Sequence, residues 1–295
     1  VTDTEIYFGA PGRQIQIYHP RNGVGATRIR PTATFQTGTG GARVSRSISG
    51  KRQFSLNWQQ LWYESYAELE AYHHGHNGPG PFVLHDPGQP NWLTVNQSAA
   101  TSHLNNTDGF TLAATGSNLS SSATAYHRGP RSLLWHFPGT APSGSLTVDP
   151  STSTWPGIPV VQGLAMCLWA YAKLAAAGAA TLTLRLSWLD EDGEVLSNTD
   201  ATPLTLTTDW QQTSVTATPP AGAVYVLCQA RATGVDAGMR LHLDEFQLER
   251  GDSPTSWAPG AGVFPVAVVS LVERWPWQAS NYRESVTFIL QEAGP

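Results

Sequence analysis

Charge is scarce in this chain. Asp, Glu, Lys and Arg make up 13% of its 295 residues, against about 25% in an ordinary globular domain. So little charge suits a protein packed against copies of itself, because interface cores exclude charged groups. Lysine is nearly missing, with Lys51 and Lys173 alone among many arginines. Cysteine is limited to Cys167 and Cys228. They lie far apart in apolar alternating runs, without metal or redox spacing, and read as free buried thiols. No apolar run approaches the roughly 18 residues of a membrane-spanning helix, and the opening residues do not read as a secretory leader. Nucleophile-elbow, phosphate-loop and zinc-protease motifs are all missing. Nothing assembles a nucleophile, a base and oxyanion donors, so no catalytic residue is assigned and a non-enzyme is expected.

Acid is missing locally. Between Ile6 and Tyr63 there is no Asp or Glu, while Arg13, Arg21, Arg28, Arg30, Arg43, Arg46, Lys51 and Arg52 all fall there, in a chain of net charge −5. Such a segment could meet nucleic acid. Its arginines are spread over loops and strands with little aromatic surface between them. Pairing with acids of a neighbouring subunit or domain is the preferred reading; no specific nucleic-acid binding and no membrane association are expected.

What is abundant is short alternation between turns, with 28 glycines and 21 prolines. This predicts a mainly β chain. In Ser45–Pro90, Phe54, Leu56 and Trp58 alternate with polar residues as in a half-buried strand. Trp62, Tyr66, Leu69 and His73 then form one helical stripe. Gly75 suits a left-handed cap, and Pro79 and Pro81 forbid further helix. Gly38, Gly40 and Gly41 read as a loop, and Asp86-Pro87-Gly88 as a turn.

From about Ser98 to Gly260 many short strands recur between turn signals, which predicts a sandwich of the jelly-roll type. Val263–Val272 and Ser285–Gln291 are again strand-like and are expected to return to the first domain. The division is 1–97, the first part of a β-sandwich or barrel with one helix; 98–260, an inserted jelly roll; and 261–295, closing strands of the first domain.

Two resemblances fit this plan. Asp209–Thr218 with Pro219–Ala223, the closing Leu243–Gly251 and Pro254–Trp257 resemble carbohydrate-binding jelly rolls. Arg46–Arg52, the Phe54–Trp58 strand and its helix, Gly80–Pro87, Pro90–Ser98 and Val286–Leu290 resemble distal and minor tail proteins of long-tailed phages of actinobacteria. That second resemblance implies a structural protein of the virion tail tip, assembled in the host cytoplasm. It further implies a hexameric ring of itself that joins the tail tube to other tail-tip proteins, with the insert turned toward host cell-wall glycans. A stand-alone carbohydrate-binding protein and a glycoside hydrolase are the alternatives.

Sugar binding needs flat aromatic faces and planar polar groups. Alternation places Arg185, Gln229, Arg231 and His242 outward; in Ala165–Lys173, whose parity is ambiguous, Trp169 and Tyr171 share a side with Lys173, and if that side is the open one all six are candidates for one concave polar-aromatic surface. A merely solvated face, or one packed on the ring, would display the same pattern. Trp155, in a Ser/Thr/Pro loop, is a separate candidate. The jelly-roll resemblance implies a structural calcium at Asp244, for which Asn106 and Asp108 are the clearest further oxygen donors; no other cofactor is expected. His73, His74 and His76 fit a helix C-terminus better than a metal site. Asp190, Glu191, Asp192 and Glu194 share one wet turn and do not form a tuned acid–base pair.

Overall fold

A computed structural model describes residues 6–17, 24–29, 32–36, 42–46, 51–85, 88–113, 116–139, 143–148, 155–260, 263–275 and 281–293. The chain opens with β1 (Ile6–Ala10), β2 (Arg13–Ile17), β3 (Val24–Ile29), β4 (Thr32–Gln36), β5 (Ala42–Arg46) and β6 (Lys51–Trp62). Helix α1 (Tyr63–His73), β7 (Phe82–His85) and a short α2 (Val95–Ser98) follow. Next come β8 (Phe110–Leu112), β9 (Asn118–Ser122), β10 (Ser132–Phe137), β11 (Ser143–Val148), β12 (Ile158–Pro159) and β13 (Met166–Leu174). Then β14 (Thr181–Leu189), β15 (Val195–Asp200), β16 (Leu204–Thr205), β17 (Gln211–Ala217), β18 (Tyr225–Thr233) and β19 (Met239–Arg250). The chain ends with β20 (Val263–Arg274) and β21 (Tyr282–Glu292). The fold is mainly β, and it divides into two compact units: 1–10, 15–84 and 264–295, and 11–14 with 85–263.

The first unit is a seven-stranded sheet in the order β2-β1-β7-β20-β21-β6-β3, beside a β4–β5 pair. The last strand of the chain, β21, lies antiparallel to β6, with Val286 opposite Trp58, Phe288 opposite Leu56 and Leu290 opposite Phe54. All six side chains are buried, so the period-two pattern that marks these strands also selects their covered face. Helix α1 buries Tyr66, Leu69 and Tyr72. Trp62, expected in that stripe, is 64% exposed, and His73 is exposed too. Strand β6 runs through Trp62, so the helix starts one residue later and its inner face turns onto Tyr72. The Tyr72 ring meets Phe8 at 4.9 Å and Phe82 at 5.0 Å, and Phe8 meets Phe288 at 5.4 Å, all near edge-to-face or tilted. Each such side chain removed from water favours folding by about 1.5–3 kcal/mol. The helix ends at Gly75, φ +75°, where His76 N donates to Ala71 O and Gly75 N to Tyr72 O; this is a Schellman turn.

The second unit is an antiparallel sandwich. One sheet runs β17-β13-β19-β10-β9; the other runs β15-β14-β18-β11-β8, with β12 on β18 and β16 on β14. The chain crosses repeatedly between the sheets, which is the jelly-roll pattern. Leu182, Leu184, Leu186 and Trp188 of β14, Val226, Cys228 and Ala230 of β18, and Leu241 and Leu243 of β19 are buried. Cys167 and Cys228 are free thiols, and burial pushes both pKa values up. Asp190 Oδ1 accepts from Asp192 N at 3.0 Å and Glu194 N at 2.9 Å, closing the acidic β14–β15 turn on itself.

Residues 91–97, read from sequence with the first domain, are bonded into the sandwich. Asn91, 0% exposed, donates to Phe246 O and Ala258 O, each at 3.0 Å. Its Oδ1 accepts from Leu93 N at 3.1 Å and Leu248 N at 3.3 Å. A carboxamide with all these groups satisfied ties the segment entering the sandwich to the one leaving it. The Gly38–Gly41 loop, the Asp86–Pro87 part of its turn, residues 149–154, and the side chains of Arg21, Arg28, Arg30, Arg43 and Arg46 lie outside the described residues. No helix among the described residues is long and apolar enough to cross a membrane.

Candidate functional site on the five-stranded sheet

The six residues expected to share one surface are divided between the two sheets. Trp169, Tyr171 and His242 stand on β13 and β19, whereas Arg185, Gln229 and Arg231 stand on β14 and β18. Within one sheet alternation decides which side chains share a face, but it carries no information on which strands share a sheet.

The outer face of the sandwich sheet that carries β14 and β18 is polar, and its central row holds no aromatic side chain. The row Asp200–Arg185–Gln229–Thr147–Thr111 crosses it from edge to edge. Arg185 grips Asp200 with two bonds, Nε to Oδ1 at 2.6 Å and Nη2 to Oδ2 at 2.7 Å. Arg231 lies 4.0 Å from the same carboxylate. Hydrogen bonding to Arg185 pulls the Asp200 pKa down. These guanidinium groups are committed to an acid on their own sheet.

The outer face of the five-stranded sheet is different. Register sets Lys173 opposite His242, His242 opposite Leu134 and Leu134 opposite Ser120. The next row pairs Arg240 with His136 and His136 with Asn118. Trp210 immediately precedes β17, and Lys173 Nζ stands 5.8 Å from the centre of its ring. Trp210 also lies 5.7 Å from His127 and 6.4 Å from His242. His127 stacks on Tyr171 with ring centres 3.9 Å apart and planes 20° apart, so one face of Tyr171 is already covered. His242 is 3% exposed. Its Nδ1 is 2.9 Å from Ser132 Oγ, whose single proton goes to Ala125 O at 2.6 Å. His242 Nδ1 is therefore the donor, and Nε2 of the neutral ring is an acceptor. Burial, then Lys173 and Arg240, lower the His242 pKa and keep the ring neutral.

Beside this row the buried acids are spent internally. Asp244 Oδ2 accepts from His127 N at 2.7 Å and Arg128 N at 3.0 Å. Glu245 Oε1 takes Arg128 Nε at 2.8 Å and lies 3.0 Å from His127 Nδ1. Trp169 is buried, and its Nε1 donates to Glu249 Oε1 at 2.6 Å. It belongs to the framework under the 251–258 return and is not a platform. Trp155 is 8% exposed and is likewise a packing residue. Asn106 Nδ2 reaches Asp108 Oδ2 at 2.5 Å, and Asn96 Nδ2 reaches Asn106 Oδ1 at 3.1 Å. No hydrogen bond among the described residues joins this loop to Asp244. Among the described residues no three His, Cys, Asp or Glu side chains cluster as metal ligands.

The residues that carry this face and went unassigned in the sequence are Trp210, His127 and Lys173. Trp210 was legible, because it continues the outward parity of Gln212, Ser214 and Thr216, while Thr213 and Val215 are buried. His127 was not, since it lies in a loop with no period.

No family model and no curated protein matches the chain. Solved structures do. The CBM22-1 xylan-binding domain from Paenibacillus barcinonensis Xyn10C aligns with 52% of this chain and 92% of its own, at 19% identity and a TM-score of 0.38. TmCBM61 in complex with β-1,4-galactotriose aligns over 55% and 99%, at 11% identity and a TM-score of 0.39. The enzymatically active domain of tailspike protein 4 from bacteriophage CBA120 aligns over 55% of this chain and 21% of its own, at 14% identity and a TM-score of 0.43.

Proposed function

We propose that this chain is a structural component of a phage tail tip whose inserted sandwich binds cell-wall glycan. The observation that carries the glycan part is the Trp210–Lys173–His242 row. It offers an indole for the C–H groups of a pyranose, the Lys173 cation and the acceptor nitrogen Nε2 of the buried His242. The outward row of the opposite sheet, Asp200–Arg185–Gln229–Thr147–Thr111, is polar but holds no indole, and Arg185 is gripped by Asp200.

The tail-ring part rests on the motif resemblance and on how the chain is spent. Both ends of the sequence build one sheet through β6 and β21, and the sandwich is an insertion between them. A ring of such chains would repeat one weak glycan site around an axis and gain avidity without any new contact.

Two measurements on the intact chain test this reading. Mass photometry is expected to show a closed ring, and pull-down on cell-wall polysaccharide is expected to weaken by about tenfold or more on Trp210→Ala, the loss of one stacked ring. A monomer that binds glycan would support the stand-alone carbohydrate-binding reading, since every residue of the face lies in the second unit. A chain that neither assembles nor binds would refute the proposal.

A further inference from the structure

The glycan face is cationic in a chain of net negative charge. Lys173 and Arg240 occupy adjacent rows on the same side of β13 and β19. Neither forms an ion pair among the described residues; Lys173 faces the Trp210 ring, and Arg240 is exposed. His136 stands opposite Arg240 and His242 opposite Lys173. Two cations without a carboxylate partner among the described residues thus share one site. Elsewhere in the sandwich Arg185 is bonded to Asp200, with Arg231 4.0 Å from the same carboxylate, and Arg128 is bonded to Glu245.

Three acids of β19 beside the face are spent internally. Asp244 is closed in by backbone amides, Glu245 by Arg128 and His127, and Glu249 by Trp169 and Thr255. A depression of about 430 Å³ adjoins Arg240, and Asp236 is the single carboxylate in its lining. His242 reports the resulting field, since Lys173 and Arg240 both depress its pKa beyond what burial does.

We infer that the ligand of this face is an anionic polysaccharide, with a carboxylate or phosphate held between Lys173 and Arg240 while the adjoining ring lies on Trp210. The inference rests on the glycan reading above and adds the charge class. A neutral sugar would leave two cations to be desolvated without return, whereas a charged group converts them into charge-assisted hydrogen bonds.

The test uses the intact chain on an array of neutral, uronic-acid-bearing and phosphate-bearing oligosaccharides, with a single-stranded oligonucleotide alongside. The expected result is binding confined to the charged glycans, with uronate and phosphate members telling the two sources apart. Lys173→Gln and Arg240→Gln, which remove the charge and keep a polar side chain, should each weaken it about tenfold, as for loss of one charge-assisted bond. Arg185→Gln, on the other sheet, should leave it unchanged. Binding to neutral glycans alone, untouched by either Gln variant, would overturn the anionic assignment and leave the glycan reading standing. No binding to any glycan would overturn both. Equal binding of the oligonucleotide would overturn the assignment in favour of a general polyanion surface.

Discussion

The amide of Gly260 donates to the hydroxyl of Ser98 at 2.7 Å, joining the segment that follows β19 to the end of helix α2. Trp257 Nε1 reinforces the joint by donating to Ser98 O at 3.1 Å. A Cβ built on Gly260 would collide with the carbonyl groups of Leu93 and Thr94. Those are backbone atoms, and Thr94 is itself fixed by a capping box with Gln97, so they cannot swing aside. Gly260→Ala is expected to destabilise the fold by about 3 kcal/mol or more, an overpacking cost without relief. Chemical denaturation measures it, and a loss below about 1 kcal/mol would show that the joint can open.

Asn91 makes a second joint of the same kind. Asn91→Ala leaves the Leu93 and Leu248 amides and the Phe246 and Ala258 carbonyls to find other partners inside the protein. With one such group costing about 1–3 kcal/mol, a loss of about 3 kcal/mol or more is expected. Asn91→Asp keeps the acceptor and loses both donors, so it should be no better. A mild effect for either would mean that water enters the joint.

Trp210 and Trp169 should behave oppositely, although both are indoles of the same sheet. Trp210 is half-buried on the face, so Trp210→Phe should reduce glycan binding while shifting the melting temperature little. Trp169 is buried and bonded to Glu249, so Trp169→Phe should lower stability by about 1–3 kcal/mol, the cost of a stranded buried acceptor, before it affects binding. Calorimetry and thermal melts on the two variants check this, and the reverse ranking would exchange their roles.

Much of this was legible in the sequence. Alternation at Phe54–Trp58, Leu182–Trp188 and Val286–Leu290 located strands and their buried sides, because a half-covered strand has little other choice. Gly75 marked the helix end because a positive φ favours glycine. What could not be read was which strands share a sheet. Arg185 and His242 both point outward, yet they leave the sandwich by opposite faces, and that separation is decided by crossovers the local pattern does not record. Trp169 stood on a strand with the right look but is buried and bonded to Glu249, and Trp155 is buried as well.

Arg283 is a test of the first unit. Its guanidinium lies under three rings, Trp275 at 4.2 Å, Tyr66 at 4.7 Å and Tyr63 at 4.9 Å, while Nε donates to Glu273 at 2.7 Å. A planar cation can stack and bond edge-on at once, which an ammonium cannot. Arg283→Lys should therefore recover little of what Arg283→Ala loses. The alanine variant is expected to lose about 1–3 kcal/mol, the cost of leaving the part-exposed Glu273 carboxylate without its charged partner. Full rescue by lysine would reduce the cluster to simple charge pairing.

Asp244 gives the sandwich a pH signature. It is 1% exposed, and burial pushes its carboxyl from the ordinary 3.8 up to about 6, against the pull of the Arg128, His127 and Glu245 amides and with added repulsion from the Glu245 carboxylate. A folded-state pKa above the unfolded one means that the protonated form favours the fold. The stability this group lends is whole below about pH 4 and is lost as pH rises through about 6, a swing of about 3 kcal/mol by linkage. Asp244→Asn cannot ionise. It turns an N–H toward the Glu245 amide now held by Oδ1 at 2.8 Å, a cost of about 1–3 kcal/mol that does not vary with pH. The slope and not the level is then the readout. Between pH 7 and pH 4 the wild type should gain stability relative to Asp244→Asn, and parallel curves would show that Asp244 titrates in the folded protein as it does in the unfolded chain.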